Sequence, residues 1–151
     1  MFVTFYRHLL LAAVLTLGLT AHSEAAQITG LESPNSFVGD PSGKDYFISN
    51  INGEPDARDN NGFITKLKFI QGGVSDVLLH APKGMAVIGS MLYIADLDQL
   101  KGFDKTTGKL LTTVSFPSRP HGQVSLTDVA ASPTGLLYAS DQTANSIYRI
   151  T

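Results

Sequence analysis

The feature that most constrains this chain is a short motif that recurs at a nearly constant interval. Tyr46–Asn50 reads YFISN, Leu92–Asp96 reads LYIAD, and Leu137–Asp141 reads LYASD. Their last residues are 46 and 45 positions apart. A repeat of this period is typical of stacked supersecondary units, among them the four-stranded blades of β-propellers. Each copy ends in Asp or Asn, whose side chains bond back to nearby backbone, so we expect these residues to cap turns.

The segments between the copies are those of antiparallel strands. Residues 63–69 alternate, with Lys66 and Lys68 on one side and apolar residues on the other, as in a half-buried strand. Asp40–Gly43 and Ser132–Gly135 are Pro-containing turns that end in glycine. No stretch of ten residues after the first 25 has a helical period. We therefore predict an all-β fold.

The repeat divides the chain into three blades, at about 32–80, 81–120 and 121–151, within one domain at 26–151. About eleven strands are expected, in two complete four-stranded blades and an incomplete third that stops at Thr151. Closed propellers have roughly four to eight blades. Three blades do not close a ring, which predicts either a fragment of a longer propeller or self-association through the open blade faces.

Residues 1–25 are typical of a signal peptide. Leu9–Ala21 is an apolar run of 13 residues, and Ser23–Ala25 places small residues before the expected cleavage point. A membrane-spanning helix needs about 20 apolar residues, so this run is too short to span. We expect cleavage after Ala25, with Ala26 as the alternative, a periplasmic or secreted product, and no membrane association of the mature chain.

Composition excludes several classes of function. The formal net charge is −2, which gives no electrostatic basis for binding nucleic acid. With no cysteine, the chain has no disulfide framework, thiolate metal site or thiol nucleophile. Hydrophobic residues make up 43% of the sequence, as in ordinary globular domains.

Two loops have a composition similar to known ligand-binding loops, one for calcium and one for phosphate, but the spacing of their residues does not match either motif. The acidic insert Glu54–Asn61 fails the EF-hand spacing, since Ala57 and Lys68 fall at the first and last ligand positions. We expect a solvated loop. Residues 102–109 end in Gly-Lys like a phosphate loop, but Leu110 replaces the hydroxyl residue and the context is strand–turn–strand. We expect a hairpin turn.

Histidine and tyrosine residues have structural interpretations. His80 and His121 lie where blades join, without a Ser, Cys or carboxylate partner in a recognisable catalytic motif. We expect structural or surface histidines. Tyr46, Tyr93 and Tyr138 belong to the recurring motif and are predicted to pack in the core.

The repeat resembles the six-bladed propellers of the senescence-marker-protein, gluconolactonase and NHL-repeat superfamily, and is most similar to exported bacterial members. The resemblance runs from about Leu31 to the C-terminus. The matching pieces are PNSF at Pro34, YFISNING at Tyr46, DNNGFITKL at Asp59, APKGMA at Ala81, LYIAD at Leu92 and LTDVA at Leu126.

The enzymes of that superfamily are implied to hydrolyse lactones or related esters with one divalent cation, usually calcium, in the central channel. The positions that match their Glu and Asn ligands hold Asn35, Lys83 and Thr127 here, and the neighbouring Asp128 keeps the acid of the motif. Calcium takes six to eight oxygen ligands, several of them carboxylates. An ammonium at Lys83 would repel the cation, so we expect no metal centre and no cofactor.

Two functions follow from these residues. In the first, the chain is a non-catalytic module that binds a small molecule or a protein, with Asn35, Lys83, Thr127 and Asp128 as candidate ligand-binding residues and Lys83 facing an anion or Asp128. In the alternative, it is a calcium-dependent lactone hydrolase of the gluconolactonase type, which depends on analogy of fold alone.

Overall fold

The computed structural model describes residues 27–67, 79–118, 120 and 122–151. The predicted signal peptide lies outside these ranges. So do His121 and residues 68–78, on which the fourth strand predicted for the first blade falls.

Ten antiparallel strands form three sheets, and the described residues contain no helix. Unit 1 contains β1 (Pro34–Gly39), β2 (Tyr46–Asn50) and β3 (Phe63–Leu67); unit 2 contains β4 (Pro82–Ile88), β5 (Met91–Asp96), β6 (Gln99–Asp104) and β7 (Leu110–Ser115); unit 3 contains β8 (Leu126–Ala131), β9 (Leu137–Asp141) and β10 (Ser146–Ile150). Each unit is a meander in which sequential strands pair. The predicted all-β class is confirmed. Within the described ranges, no helix has the length and apolar character needed to cross a membrane.

The core lies between the sheets, and unit 2 is covered on both faces. The core between units 1 and 2 contains Phe47, Ile64, Leu79, Met85, Leu92, Ile94 and Phe103. The core between units 2 and 3 contains Ala86, Ala95, Leu100, Val124, Leu126, Val129, Leu137 and Ala139. The period-two pattern of β5 explains this arrangement, because Leu92 and Ile94 face unit 1 while Tyr93 and Ala95 face unit 3. The first strands, β1, β4 and β8, lie side by side.

The residue that ends each recurring motif is buried and holds the chain that enters the first strand of its unit. Asn50 Oδ1 accepts the Glu32 N–H at 3.0 Å, and Asp96 Oδ1 accepts the Ala81 N–H at 2.8 Å. Asp141 Oδ1 accepts the Ser125 N–H at 3.4 Å and also caps the next turn through the Thr143 N–H. The sequence therefore predicted the cap of the turn after Asp141, but not the contact with the strand entrance.

Asn50, Asp96 and Asp141 each also form a side-chain hydrogen bond with the third strand of their own unit. The partner is Thr65 in unit 1, Lys101 in unit 2 and Tyr148 in unit 3, at 3.1, 2.6 and 3.2 Å. These partners pair with Ile48, Ile94 and Ala139 respectively, and so occupy one position of the repeat. One buried polar residue thus ties three parts of each unit together.

The motif copies align by their last residues, and this corrects the prediction for the tyrosines. Tyr46 aligns with Leu92 and Leu137, whereas Phe47 aligns with Tyr93 and Tyr138. Phe47 is fully buried, but Tyr46 is exposed and stacks on Phe37, with ring centroids 5.3 Å apart. Tyr93 and Tyr138 are half-buried. Tyr46 is therefore not a core residue.

An ion pair joins units 1 and 2 at the end of the sheets where β1 turns into β2. Lys105 Nζ, from the β6–β7 turn, lies 2.8 Å from both carboxylate oxygens of Asp40. The Asp40 side chain is buried, and its Oδ1 also accepts the Ser42 N–H. The bond from Lys105, followed by the bond from Ser42, holds the pKa of Asp40 below its ordinary value of 3.8.

We expect the stability that this pair contributes to depend on acid. A carboxyl whose pKa is lower in the folded state stabilises the protein above its unfolded pKa of 3.8, and this contribution is lost as the pH falls through the lower folded value. Urea unfolding of Lys105→Met between pH 7 and 2.5 should therefore show a weaker loss of stability in acid than the wild type. Lys44→Met, at an exposed lysine, is the control. Equal acid dependence of the two variants would contradict this role for Asp40.

Candidate functional site

The connection between β2 and β3 differs from its counterparts in the other units. We call residues 51–62 the insert loop; the equivalent connections are 97–98 in unit 2 and 142–145 in unit 3. Asp56 Oδ1 accepts hydrogen bonds from Lys83 Nζ at 2.9 Å and from Ser125 Oγ at 3.2 Å. Arg58 pairs with Asp98 at 2.8 Å. The loop is solvated as predicted, since residues 54–61 are exposed apart from the half-buried Ala57, and it also contacts units 2 and 3.

The insert loop also bonds to itself. Asn52 Nδ2 donates to the Asn61 carbonyl at 2.8 Å, and Asn61 Nδ2 donates to Asp59 Oδ2 at 2.9 Å. Asn52 and Asn60 have left-handed backbone, with φ of 54° and 58°, which asparagine tolerates better than most residues. The polar composition of the loop therefore fixes its shape and presents Asp56 and Arg58 to the other units.

A cleft lies where the insert loop meets units 2 and 3, and we call it the junction cleft. Its volume is about 240 Å³. It is lined by Asp56, Arg58, Leu97, Gly122, Gln123, Val124, Ser125 and Thr143. The lining offers a carboxylate, a guanidinium, two hydroxyls and one amide, so a ligand there meets both hydrogen-bond donors and acceptors.

Lys83 lies beneath this cleft and is almost fully buried, whereas the Asp56 side chain is mostly exposed. The bond from Lys83 is the largest cause that lowers the pKa of Asp56, so the carboxyl is ionised at neutral pH. The partner of Lys83 is therefore Asp56, and the predicted pairing with Asp128 was wrong. Sequence position alone does not show that the carboxylate bound by Lys83 comes from Asp56 in the insert loop, 27 residues before Lys83.

Ser125 completes a group of three polar side chains with Asp56 and Lys83. Lys83 Nζ lies 3.4 Å from Ser125 Oγ. A serine becomes a nucleophile when an adjacent base takes its proton. Here the lysine donates to a carboxylate as an ammonium, and Asp56 is an acid of lowered pKa, hence a weakened base. The arrangement joins three units but does not activate the hydroxyl.

The three positions singled out by the family resemblance share one backbone feature. A β-bulge follows the first paired residue of each first strand, and it contains Asn35 in β1, Lys83 in β4 and Thr127 in β8. Bulges re-aim side chains and are over-represented next to active sites. β1 and β4 begin at Pro34 and Pro82, since proline is tolerated as the first residue of a strand.

The four candidate residues lie in different surroundings. Asn35 is exposed and lines a groove on unit 1, while Thr127 lines a groove on unit 3 and lies 2.8 Å from Ser140 Oγ. Asp128 Oδ1 accepts its neighbour's N–H, that of Val129, at 2.9 Å. Lys83 is the one member of the set that contacts a residue of the junction cleft through its side chain.

Sequence reasoning missed Asp56, Arg58, Ser125 and Thr143 as residues of a shared site. The extra length of the insert loop relative to the two-residue connection at 97–98 was a usable signal, because long loops in compact domains are commonly functional. Ser125 and Thr143 carried no such signal, since their position follows from the packing of unit 3 on unit 2.

His80 has a structural role through its backbone. Its N–H donates to Asp96 Oδ1 at 3.0 Å, as part of the entrance to β4.

No family model matches this chain, and no curated protein matches it significantly. The family resemblance therefore stays a prediction.

Proposed function

We propose that this chain is an exported repeat module of β-propeller type that binds a small polar ligand in the junction cleft without catalysis. Three meander units with adjacent first strands support the propeller architecture. The observation that carries the binding role is the insert loop, which forms a cleft with units 2 and 3 and presents the side chains of Asp56 and Arg58 there. Binding sites are commonly carried by loops held on a rigid scaffold.

The cleft favours a ligand with several hydroxyl groups. Arg58 keeps N–H groups for a ligand beyond those that face Asp98, because a guanidinium has five donors. Asp56 is mostly exposed and charged, so it accepts from ligand hydroxyls. Because guanidinium and carboxylate lie in one cleft, a neutral polyhydroxy compound is matched better than a strongly charged one.

The residues present do not fit the calcium of the alternative function. Asn35 and Thr127 supply one amide and one hydroxyl, and they lie in separate grooves. Between them Lys83 supplies an ammonium, already bound to Asp56 at 2.9 Å. Calcium requires six to eight oxygens, and a buried ammonium at a ligand position opposes any cation.

The direct test is a calcium titration together with a lactone hydrolysis assay on the exported protein, whose mature N-terminus is read by sequencing and expected at Ala26. We expect no micromolar calcium binding by calorimetry and no metal-dependent hydrolysis of gluconolactone. Calcium binding coupled to turnover would replace this proposal by the hydrolase. An uncleaved Met1 on a cytoplasmic product would remove export from it.

The binding arm of the same experiment uses glucose as a neutral polyhydroxy probe and gluconate as its charged counterpart. Glucose should raise the melting temperature, with a weaker response to gluconate. Arg58→Gln should remove the response to glucose, whereas Arg149→Gln, at an exposed arginine outside the cleft, should keep it. The cleft would lose its binding role if Arg58→Gln and the wild type responded equally.

A further inference from the structure

The insert loop contains an Asn-Gly pair at each of its ends. Asn52 precedes Gly53, and Asn61 precedes Gly62. Asparagine is one of the thermally labile residues. A glycine after it increases this lability, because glycine has no side chain to hinder the approach of its nitrogen to the asparagine amide and leaves the backbone free to turn. The two pairs therefore carry the same chemistry, and their surroundings decide which of them reacts.

The pair at the end of the loop is protected. Gly62 is buried, and its N–H donates to the Leu79 carbonyl at 2.9 Å. An added Cβ at Gly62 would overlap Pro82 and would lie 2.9 Å from the His80 carbonyl oxygen, so the peptide there has no room to turn. The Gly62 nitrogen reaches the side chain of Asn61 only after the bridge to Leu79 has opened.

The pair at the start of the loop lacks this protection. Gly53 is exposed, and in the part of the chain that the structure describes its N–H forms no hydrogen bond. Its φ is 154°, a value that favours glycine. An added Cβ would meet only the side-chain ends of Asn61 and Asp59, which can move aside. The Gly53 nitrogen is therefore the more accessible of the two.

One weak restraint holds the side chain of Asn52. Its Nδ2 donates to the Asn61 carbonyl at 2.8 Å, and this hydrogen bond is exposed to solvent. Contacts in exposed loops open locally at a small cost in free energy. Once this bond opens, the peptide between Asn52 and Gly53 turns freely enough for the Gly53 nitrogen to face the side-chain carbonyl carbon.

We propose that Asn52 is a site of spontaneous conversion to aspartate and isoaspartate, and that this conversion loosens the insert loop. The Gly53 nitrogen loses its proton and attacks Cγ of Asn52. The new N–Cγ bond closes a succinimide ring, the Cγ–Nδ2 bond breaks, and Nδ2 leaves as ammonia with the proton. Water then opens the ring at either carbonyl carbon, which yields aspartate or isoaspartate. The net reaction consumes water and releases ammonia.

Conversion removes the donor that closes the loop. A carboxylate accepts hydrogen bonds but donates none, so the product does not bond the Asn61 carbonyl. Isoaspartate also adds a carbon to the backbone, at a position where φ is 54°. The new negative charge joins the existing acids of the insert loop, which are Glu54, Asp56 and Asp59. A weaker response of the junction cleft to ligand then follows, and this last effect rests on the proposed function.

The first measurement is peptide mapping of the folded protein, aged at mildly alkaline pH, by mass spectrometry. Trypsin separates the two pairs because it cleaves after Arg58. We expect Asn52 to exchange NH₂ for OH severalfold faster than Asn61, and its peptide to become a substrate of isoaspartyl methyltransferase. In urea the two rates should become similar, because the bridge from Gly62 to Leu79 is lost. Equal rates in the folded protein, or faster conversion of Asn61, overturn the proposal.

The second measurement tests the loosening of the loop by limited proteolysis of the native protein at Arg58. Asn52→Asp copies one product, and we expect cleavage severalfold faster than in the wild type. Asn60→Asp is the matched control, because it adds the same charge to the loop at a side chain that forms no hydrogen bond within the described residues. An Asn52→Asp variant cleaved no faster than Asn60→Asp contradicts the proposal.

The glucose response of the aged protein is read separately from these two measurements. It should fall as Asn52 converts. A wild type that never responds to glucose would remove the proposed function of the cleft, whereas the mass and proteolysis results would still decide whether Asn52 converts and loosens the loop.

Discussion

Replacing Asp96 by asparagine should lower the free energy of unfolding by about 3–5 kcal/mol, the usual effect of removing one member of a buried ion pair. The Asp96 side chain is fully buried and the Lys101 side chain nearly so, with Nζ 2.6 Å from Oδ2. The new side-chain amide would keep an oxygen for the His80 and Ala81 N–H groups, but the Lys101 ammonium would lose its carboxylate. Urea unfolding at neutral pH measures the difference.

The chain itself offers the control for this variant. Unit 1 has Asn50 and Thr65 at the two positions that Asp96 and Lys101 occupy in unit 2. The double variant Asp96→Asn/Lys101→Thr therefore copies a pair that the fold already uses, and it should recover more than half of the lost stability. A double variant as unstable as Asp96→Asn would show that the loss does not come from the charge of Lys101.

Gly84→Ala should destabilise the chain by about 3 kcal/mol, at the upper end of the range for overpacked sites. An added methyl group would overlap the Asp128 Cα and lie 2.9 Å from the Val129 nitrogen, so it meets backbone that no rotamer change can move. Units 2 and 3 would have to separate. Thermal unfolding followed by circular dichroism measures the loss.

Gly39→Ala is the matched control, because Gly39 also lies in a first strand. Its added methyl group would meet only the Tyr46 ring, at an ordinary 3.5 Å. We expect a change within about 0.5 kcal/mol, as for surface positions away from special features. Similar losses for the two alanine variants would mean that strand propensity, rather than the contact between units, sets the effect.

The repeat predicted the strands well because both depend on local pattern. β5 and β9 lie at Met91–Asp96 and Leu137–Asp141, almost as the motif copies indicated. Alternation of apolar residues fixes which side chains share a face, so the two cores of unit 2 were accessible from sequence. Tyr46 was matched to Tyr93 and Tyr138 because all three are tyrosines. It lies four residues before the end of its motif copy, whereas the other two lie three residues before the end of theirs.

The candidate site was less accessible, because it depends on contacts between distant segments. Composition indicated that the insert loop is polar, but nothing local indicates that Asp56 meets Lys83 and Ser125. Lys83 was identified through the family resemblance, and its carboxylate partner is set by the path of a loop. The strand pattern in the sequence predicts sheets and turns. Which residues a long loop contacts depends instead on how whole units pack against each other.

The reach of the insert loop also bears on how the units unfold. In a linear repeat array each unit touches its neighbours alone, so terminal units can open independently and stability is nearly a sum of nearest-neighbour contributions. Here the bond from Ser125 to Asp56 joins residues 69 positions apart and links unit 3 to unit 1 across unit 2. Opening of unit 3 therefore breaks a contact with unit 1 as well, which couples the ends of the array and makes its unfolding more cooperative than three stacked sheets alone would be.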